Sequence, residues 1–320
     1  MKSSYRGRWG QIPIYLGKCF RSFLYMDDWK MLPMSAVIAG IVALVGCQQL
    51  FRTMEGTTTG GFTLICVCIW IGMFNSIQVI CRERNIVKRE HRSGMHISSY
   101  VISHMIYQAF LCLLQTCIVL ITFRTCGVAF PEGGVVFRWF ILDAAITVFL
   151  VMYSSDILSL MVSGIVSTPT EAMTIVPFIL IIQLVFSGTM FSLEGEYAKY
   201  LTGITISKWG MECLCAIGNY NSLPMVSLWN QIFNYRDVEI GGVQPIKNLT
   251  HYMQFTVADE ATGQTVMEKF NLMVGQYNAK PDFASTQANV VHCWGMLILF
   301  TFIYAIITII VLEGIDRDKR

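Results

Sequence analysis

The sequence predicts an all-α integral membrane protein with six transmembrane helices, on three observations. Six apolar runs approach or exceed the ~20 residues needed to cross a hydrocarbon core. Only 14% of the 320 residues are charged and 54% are hydrophobic, whereas a soluble domain carries about 25% charged residues. The charges are also clustered, most densely in Cys81 to Tyr100, CRERNIVKREHRSGMHISSY, an island between two apolar runs.

Residues 1–30 precede the first span. There Trp9, Ile12, Leu16, Cys19, Phe20, Phe23 and Leu24 recur at three- and four-residue steps, with Arg8, Lys18 and Arg21 between them. That is the pattern of an N-terminal amphipathic helix lying in the membrane interface. The spans are placed at Met31–Phe51, Phe62–Cys81, Tyr100–Phe123, Val135–Ser163, Met173–Leu193 and Val290–Leu312. Between the fourth and fifth, Pro169 is expected to end one helix and Thr170 to cap the next. Helices one to five thus fill 31–193, with a coupling segment at 82–99, a loop or short interfacial helix, too charged to cross a bilayer. Residues 194–289 mix Gly, Asn, Asp and aromatic residues and read as a folded extracellular loop between helices five and six. Residues 290–320 supply the sixth span and a tail.

Orientation follows from the basic residues. Lys2, Arg6, Arg8, Lys18, Arg21 and Lys30 precede span one, five more follow span two, and Arg317, Lys319 and Arg320 lie in the tail. The short loops on the other side hold Arg52 and Arg124. Both termini are therefore expected in the cytoplasm of a multi-pass plasma or cytoplasmic membrane protein. No cleaved signal peptide is evident.

Several function classes drop out. The chain has no phosphate-binding loop, no G-x-S-x-G and no H-E-x-x-H, so no catalytic residue is assigned. Most of the eleven cysteines lie in apolar runs, and C-x-C pairs without matching His do not make a zinc site. Cys213 and Cys215 leave a disulfide open. No metal and no nucleic-acid partner is expected.

Within the island, Glu83-Arg84, Arg89-Glu90, Ser93-Gly94 and Ser98-Ser99-Tyr100 closely resemble the loop after the second span in the G subfamily (white/pleiotropic-drug-resistance type) of ABC transporters. Met95 and His96 stand where that family often has aromatic residues. Phe186-Ser187-Gly188 resembles its F-S-G turn, and Ser207-Lys208-Trp209-Gly210-Met211-Glu212-Cys213-Leu214 its S-P-x-R-[WY]-x-x-E-A-L segment, with Lys208 for Arg and no Pro. Trp9-Gly10-Gln11 and Arg21 resemble its interfacial connecting helix.

The resemblance implies the membrane domain of a type II ABC exporter that pairs with a second copy of itself. An ABC nucleotide-binding domain, on a separate chain or upstream in the gene product, would carry ATP and Mg; this chain would hold no cofactor. Glu83, Arg84, Arg89 and Glu90 are then the expected coupling residues, since charge-assisted contacts can transmit a soluble domain's closure. Spans two and five line the family's path, and polar residues within spans tend to face cavities or neighbouring helices. Ile71, Asn75, Gln78, Leu180, Gln183 and Leu184 are the resulting cavity candidates. Thr189 and Met190 stand where relatives place an outer plug, and Trp209 and Glu212 belong to a re-entrant helix. Asp143 and Asp156, both in span four, are expected near the outer headgroups and in helix–helix bonding. The function implied is ATP-driven export of amphipathic or lipid-like molecules through a path lined with membrane lipid outside. A channel or proton-coupled transporter, or a non-transporting membrane sensor or assembly protein, stands as the alternative.

Overall fold

A computed structural model describes residues 7–25, 28–187, 196–224 and 280–314. Ten α-helices make up these residues: α1 (Arg8–Tyr25), α2 (Met31–Gly46), α3 (Met54–Ser76), α4 (Val79–Arg92), α5 (Ile97–Thr125), α6 (Phe140–Ile165), α7 (Pro169–Val185), α8 (Glu196–Gly203), α9 (Ile206–Ile217) and α10 (Gln287–Glu313). Four helical stretches are long and apolar enough to cross a membrane: Met54–Arg92, Ile97–Thr125, Phe140–Ile165 and Gln287–Glu313. α2 and α7 are apolar but shorter.

α6 is the axis of the bundle. Gly72 of α3 and the Ser residues of α6 let the two helices approach until backbones touch, which matters because lipid offers no hydrophobic gain for helix association. A Cβ at Gly72 of α3 would stand 2.3 Å from the Met152 carbonyl oxygen of α6. Hydroxyls bind this seam: Ser76 Oγ donates to the Asp156 carbonyl at 2.6 Å and Ser159 Oγ to that of Met73. Lower down, Ser163 Oγ accepts from Ile80 N (3.0 Å) and Cys81 N (3.2 Å), replacing ladder partners lost where Ile77 and Gln78 offset α4 from α3. A side chain inserted into the hydrogen-bond ladder is a recognised cause of such an offset. On its other flank α6 meets α10 through Ser154 Oγ, which donates to Leu297 O at 3.0 Å, and Thr147, which accepts from Trp294 Nε1 at 3.0 Å.

Several expectations shift. α3 begins at Met54, eight residues ahead of Phe62, capped by Thr53 Oγ1, which accepts from Gly56 N at 3.0 Å. Of the two forms expected for the charged island, the structure has the helix, through Arg92. Pro169 opens α7 rather than ending α6, and Thr168 caps it instead of Thr170; a proline in the first turn forfeits no ladder bond. α6 starts at Phe140, not Val135. The five residues between fold over Asp143, whose carboxylate accepts from Val135 N, Val136 N and Phe137 N at 2.7, 3.0 and 3.1 Å.

α9 is nearly enclosed by α3, α6, α7 and α10. Gln183 of α7 caps it: Oε1 accepts from Ile206 N (2.9 Å) and Ser207 N (3.3 Å), and Ser207 Oγ donates to Gln183 O. Cys213 and Cys215 are both free, buried thiols. Trp209 Nε1 donates to Gly203 O at 2.9 Å, and Lys208 sits over the indole while pairing with Glu212 at 3.5 Å. Burial pushes the Glu212 carboxyl up to about 7, against the lowering influence of Lys208.

Two outcomes follow from this packing. Gly72→Ala forces the α3–α6 backbones apart and is expected to cost about 1–3 kcal/mol, read as a lower Tm of the full chain in detergent. Glu212 binds a proton more readily in the fold than in the unfolded chain, so its contribution is fully present below about pH 4.5 and declines until about pH 7. The wild-type Tm is therefore expected to fall relative to that of Glu212→Gln between pH 5 and pH 7, and to hold a constant gap above that.

Candidate functional site

The charged residues come together where α4 leaves the apolar bundle. α4 ends at Arg92, and the chain reverses through Gly94 at φ +100°, a left-handed conformation that favours glycine. The turn hands over to α5, against which α1 lies lengthwise. Gln11 bridges the turn, accepting from His96 N at 2.9 Å and donating to Gly94 O at 3.2 Å. Ser99 and Ser103 of α5 donate to the carbonyls of Arg8 and Ile12 at 2.8 and 3.0 Å. Phe20 meets Tyr107 and Phe110 edge-on, at 5.8 and 5.3 Å between ring centres. The two ends of α1 leave Trp9, Leu24 and Tyr25 exposed, apolar surface suited to the interface of a bilayer.

The acids of α4 are turned inward. Glu83 pairs with Lys18 of α1 at 2.8 Å and accepts from the Tyr100 hydroxyl at 3.4 Å. Glu90 hydrogen-bonds the Tyr15 hydroxyl, whose pKa is pushed up to about 12 by burial and then by the Glu90 charge. Its Oε2 is buried without a hydrogen-bond partner. Arg84 also points back into the protein, donating to Gly164 O and Val166 O at 3.0 Å each, and so satisfies the end of α6. Arg89 differs from the other three in being exposed. With Arg82, Asn85 and Ile86 it forms the outward face of α4.

Higher on that helix face, Asn75, Gln78 and Arg82 line a cavity of about 480 Å³ between α1, the α3–α4 joint, α5 and the start of α7. Lys18, Ser22, Glu83, His104, Tyr107 and Gln108 add to its polar wall. Asn75 is held by reciprocal bonds to the Gln115 amide, at 2.7 and 3.0 Å. Of the six residues read from the sequence as cavity-lining, Asn75 and Gln78 thus share this space. Ile71 and Leu180 sit in the buried apolar core, Gln183 caps α9, and Leu184 is half-buried. Thr189 and Met190 lie outside the described residues. Trp209 and Glu212 are in α9, as expected of one helix. Lys18, His104 and Gln108 were not singled out from the sequence; His104, Gln108 and Gln115 on α5 fall at steps of four and seven, a polar stripe visible along an otherwise apolar span.

Comparison with known proteins gives this geometry its context. Residues 14–217, well over half the chain, match the family model described as ABC-2 type transporter. The matched region runs from within α1 through α9 and so holds α4, α5 and most of α1. An ABC transporter ATP-binding/permease protein of Mycobacterium tuberculosis is 24% identical over 149 residues, which are 46% of this chain and 17% of that relative. The present chain therefore corresponds to a small fraction of that protein's length. A bundle of long apolar helices, with a charged helical elbow at one end and a family match over residues 14–217, leaves one assignment: the chain is a multi-pass integral membrane protein of the ABC-2 type transporter family.

Proposed function

We propose that this chain forms, as a homodimer, the translocation path of an ATP-driven exporter for amphipathic or lipid-like molecules, of the white/pleiotropic-drug-resistance type that its motifs resemble. Hydrolysis takes place on an ABC nucleotide-binding domain, which the Mycobacterium relative's name places together with a permease. α2 and α7 complete six spans: 16 and 17 residues give about 24–26 Å of helix. The basic ends of α1 and α4 face the cytoplasm.

The observation that carries the reading is the shape of Met54–Arg92. It is a near-continuous helix of 39 residues whose inner end projects past the apolar bundle. Its exposed face, Asn85, Ile86 and Arg89, offers a cation and an apolar side chain to a soluble domain. Behind that face, Glu83, Arg84 and Glu90 tie the same helix to α1 and α6. Arg89 is thus the contact to the ATPase, and the other three residues pass its displacement into the bundle. A push on α4 cannot be absorbed locally, because both neighbours move with it.

A proton-linked carrier is the second reading, favoured by Asp156 alone. It is fully buried, and Cys112 donates to its Oδ2 at 3.3 Å while Oδ1 has no partner.

Arg89→Glu combined with Ile86→Asp is expected to weaken association with the ATP-binding domain about tenfold, measured by titrating the two purified components, while Tm stays unchanged. Transport in proteoliposomes should stop with a hydrolysis-deficient ATP-binding partner. Uptake or release that continues there, and is abolished by Asp156→Asn, would sink the exporter reading and establish the proton-linked one.

A further inference from the structure

The cavity beside the α3–α4 joint carries its charged side chains at one end and none at the other. Lys18, Arg82, Glu83 and His104 stand at the level of the interfacial helix α1. One to two turns further into the bundle, the wall holds Phe74 and Leu111 beside Asn75, whose amide is already paired with Gln115. Lys18 and Arg82 against Glu83 leave one net positive charge at the polar end. Between the ends lies Gln108, which is 1% exposed and whose Oε1 has no hydrogen-bond partner. A buried amide oxygen left this way is costly unless something donates to it. A ligand that fits must bring one negative charge, a hydrogen-bond donor close to that charge, and an apolar tail directed inward.

We propose that this cavity binds the headgroup of an anionic phospholipid, with its phosphate on Lys18 and Arg82, a headgroup hydroxyl donating to Gln108, and the root of an acyl chain against Phe74 and Leu111. Basic pockets between helices at a membrane surface recognise lipid headgroups on these terms. Ile77 and Gln78, the joint between α3 and α4, also border the cavity. A bound headgroup therefore wedges α1 against the joint and stiffens it. On the exporter reading above, that makes the lipid a regulator of coupling; binding itself does not depend on that reading.

The test uses the full chain in detergent, titrated with dihexanoyl-phosphatidylglycerol, dihexanoyl-phosphatidylcholine or inorganic phosphate, with Tm as the readout. A saturable rise in Tm is expected with the phosphatidylglycerol, at a half-saturating concentration about tenfold below that of the phosphatidylcholine, which lacks both the net charge and the hydroxyls. Gln108→Leu and Arg82→Gln should each raise that concentration about fivefold. Without lipid, Gln108→Leu should match or exceed the wild-type Tm, since it removes an unsatisfied buried group. Should Gln108→Leu fail to fold, Arg82→Gln decides, because Arg82 is exposed. Equal half-saturation in wild type and variants, or equal affinity for the two lipids, would overturn the proposal. A full Tm shift from inorganic phosphate alone would overturn the lipid as its source and leave a phosphate site. Because the readout is binding, loss of ATP-driven transport as a function would leave these outcomes unaltered.

Discussion

The backbone contact between α3 and α6 is the constraint on which the remaining structure depends. At Gly72 there is no room for a methyl group, and the Met152 carbonyl occupies the space. Two helices this close cannot slide or rotate without breaking the Ser76, Ser159 and Ser163 bonds that flank the contact. In hydrocarbon those hydroxyls have no competing water, so small residues and hydrogen bonds replace the apolar burial that would hold a soluble bundle. α6 in turn fixes α10 through Ser154 and Thr147, and α9 nests among α3, α6 and α10. The α3, α6, α9 and α10 part of the chain is thereby one rigid unit.

The offset at Ile77 and Gln78 converts that rigidity into leverage. Ser163 satisfies the two amides that the offset frees, so the joint is stable without being straight. Arg84 closes the other side by capping the end of α6. α4 is then neither an independent loop nor a simple prolongation of a span. It is an arm pinned at its root by α6 and along its flank by α1, with one face left for a partner. The amphipathic α1 has the same dual character: its aromatic residues grip α5, and its exposed apolar residues suit the bilayer surface.

What could be read in the sequence was whatever depends on composition over a window. Apolar runs located the long helices, the three- and four-residue rhythm located α1, and the Arg/Glu cluster marked where the bundle gives way to solvent. What could not be read was set by groups distant in the chain. Glu83 looks like a surface acid until Lys18, 65 residues earlier, is placed beside it. Gln183 has the composition of a pore-lining residue, yet its amide oxygen is consumed by the first amides of α9. The first two turns of α3, MEGTTTGG, have the propensity of a loop. They are helical because tertiary contacts override propensity: Met54 N donates to Pro224 O at 3.0 Å, and the absent side chain of Gly61 makes room for Met211 and Leu214. The two acids of span four differ in a way their positions in the span suggested, but their partners could be read only from the fold: three backbone amides for Asp143 and the Cys112 thiol for Asp156.

That separation bears on where the molecule is built to change. Asp143, near the outer end, accepts three backbone amides and needs nothing more. Gln183, Thr147 and Trp294 are likewise satisfied. Among the described residues, the buried side-chain oxygens lacking a partner are those of Glu90, Gln108 and Asp156, on α4, α5 and α6. All three lie on the side where α4, α5 and the joint meet, and none belongs to the outer seam. Buried polar atoms are normally paired, and an orphan persists where a ligand, a proton or another conformation completes it. A scaffold satisfied at one end and unsatisfied at the other has its alternative arrangements concentrated at the unsatisfied end. In this chain that end is the α1–α4–α5 elbow, and it is joined to the rigid half by the offset at Ile77 and Gln78, by the continuous helix α5 and by the Arg84 contacts to α6.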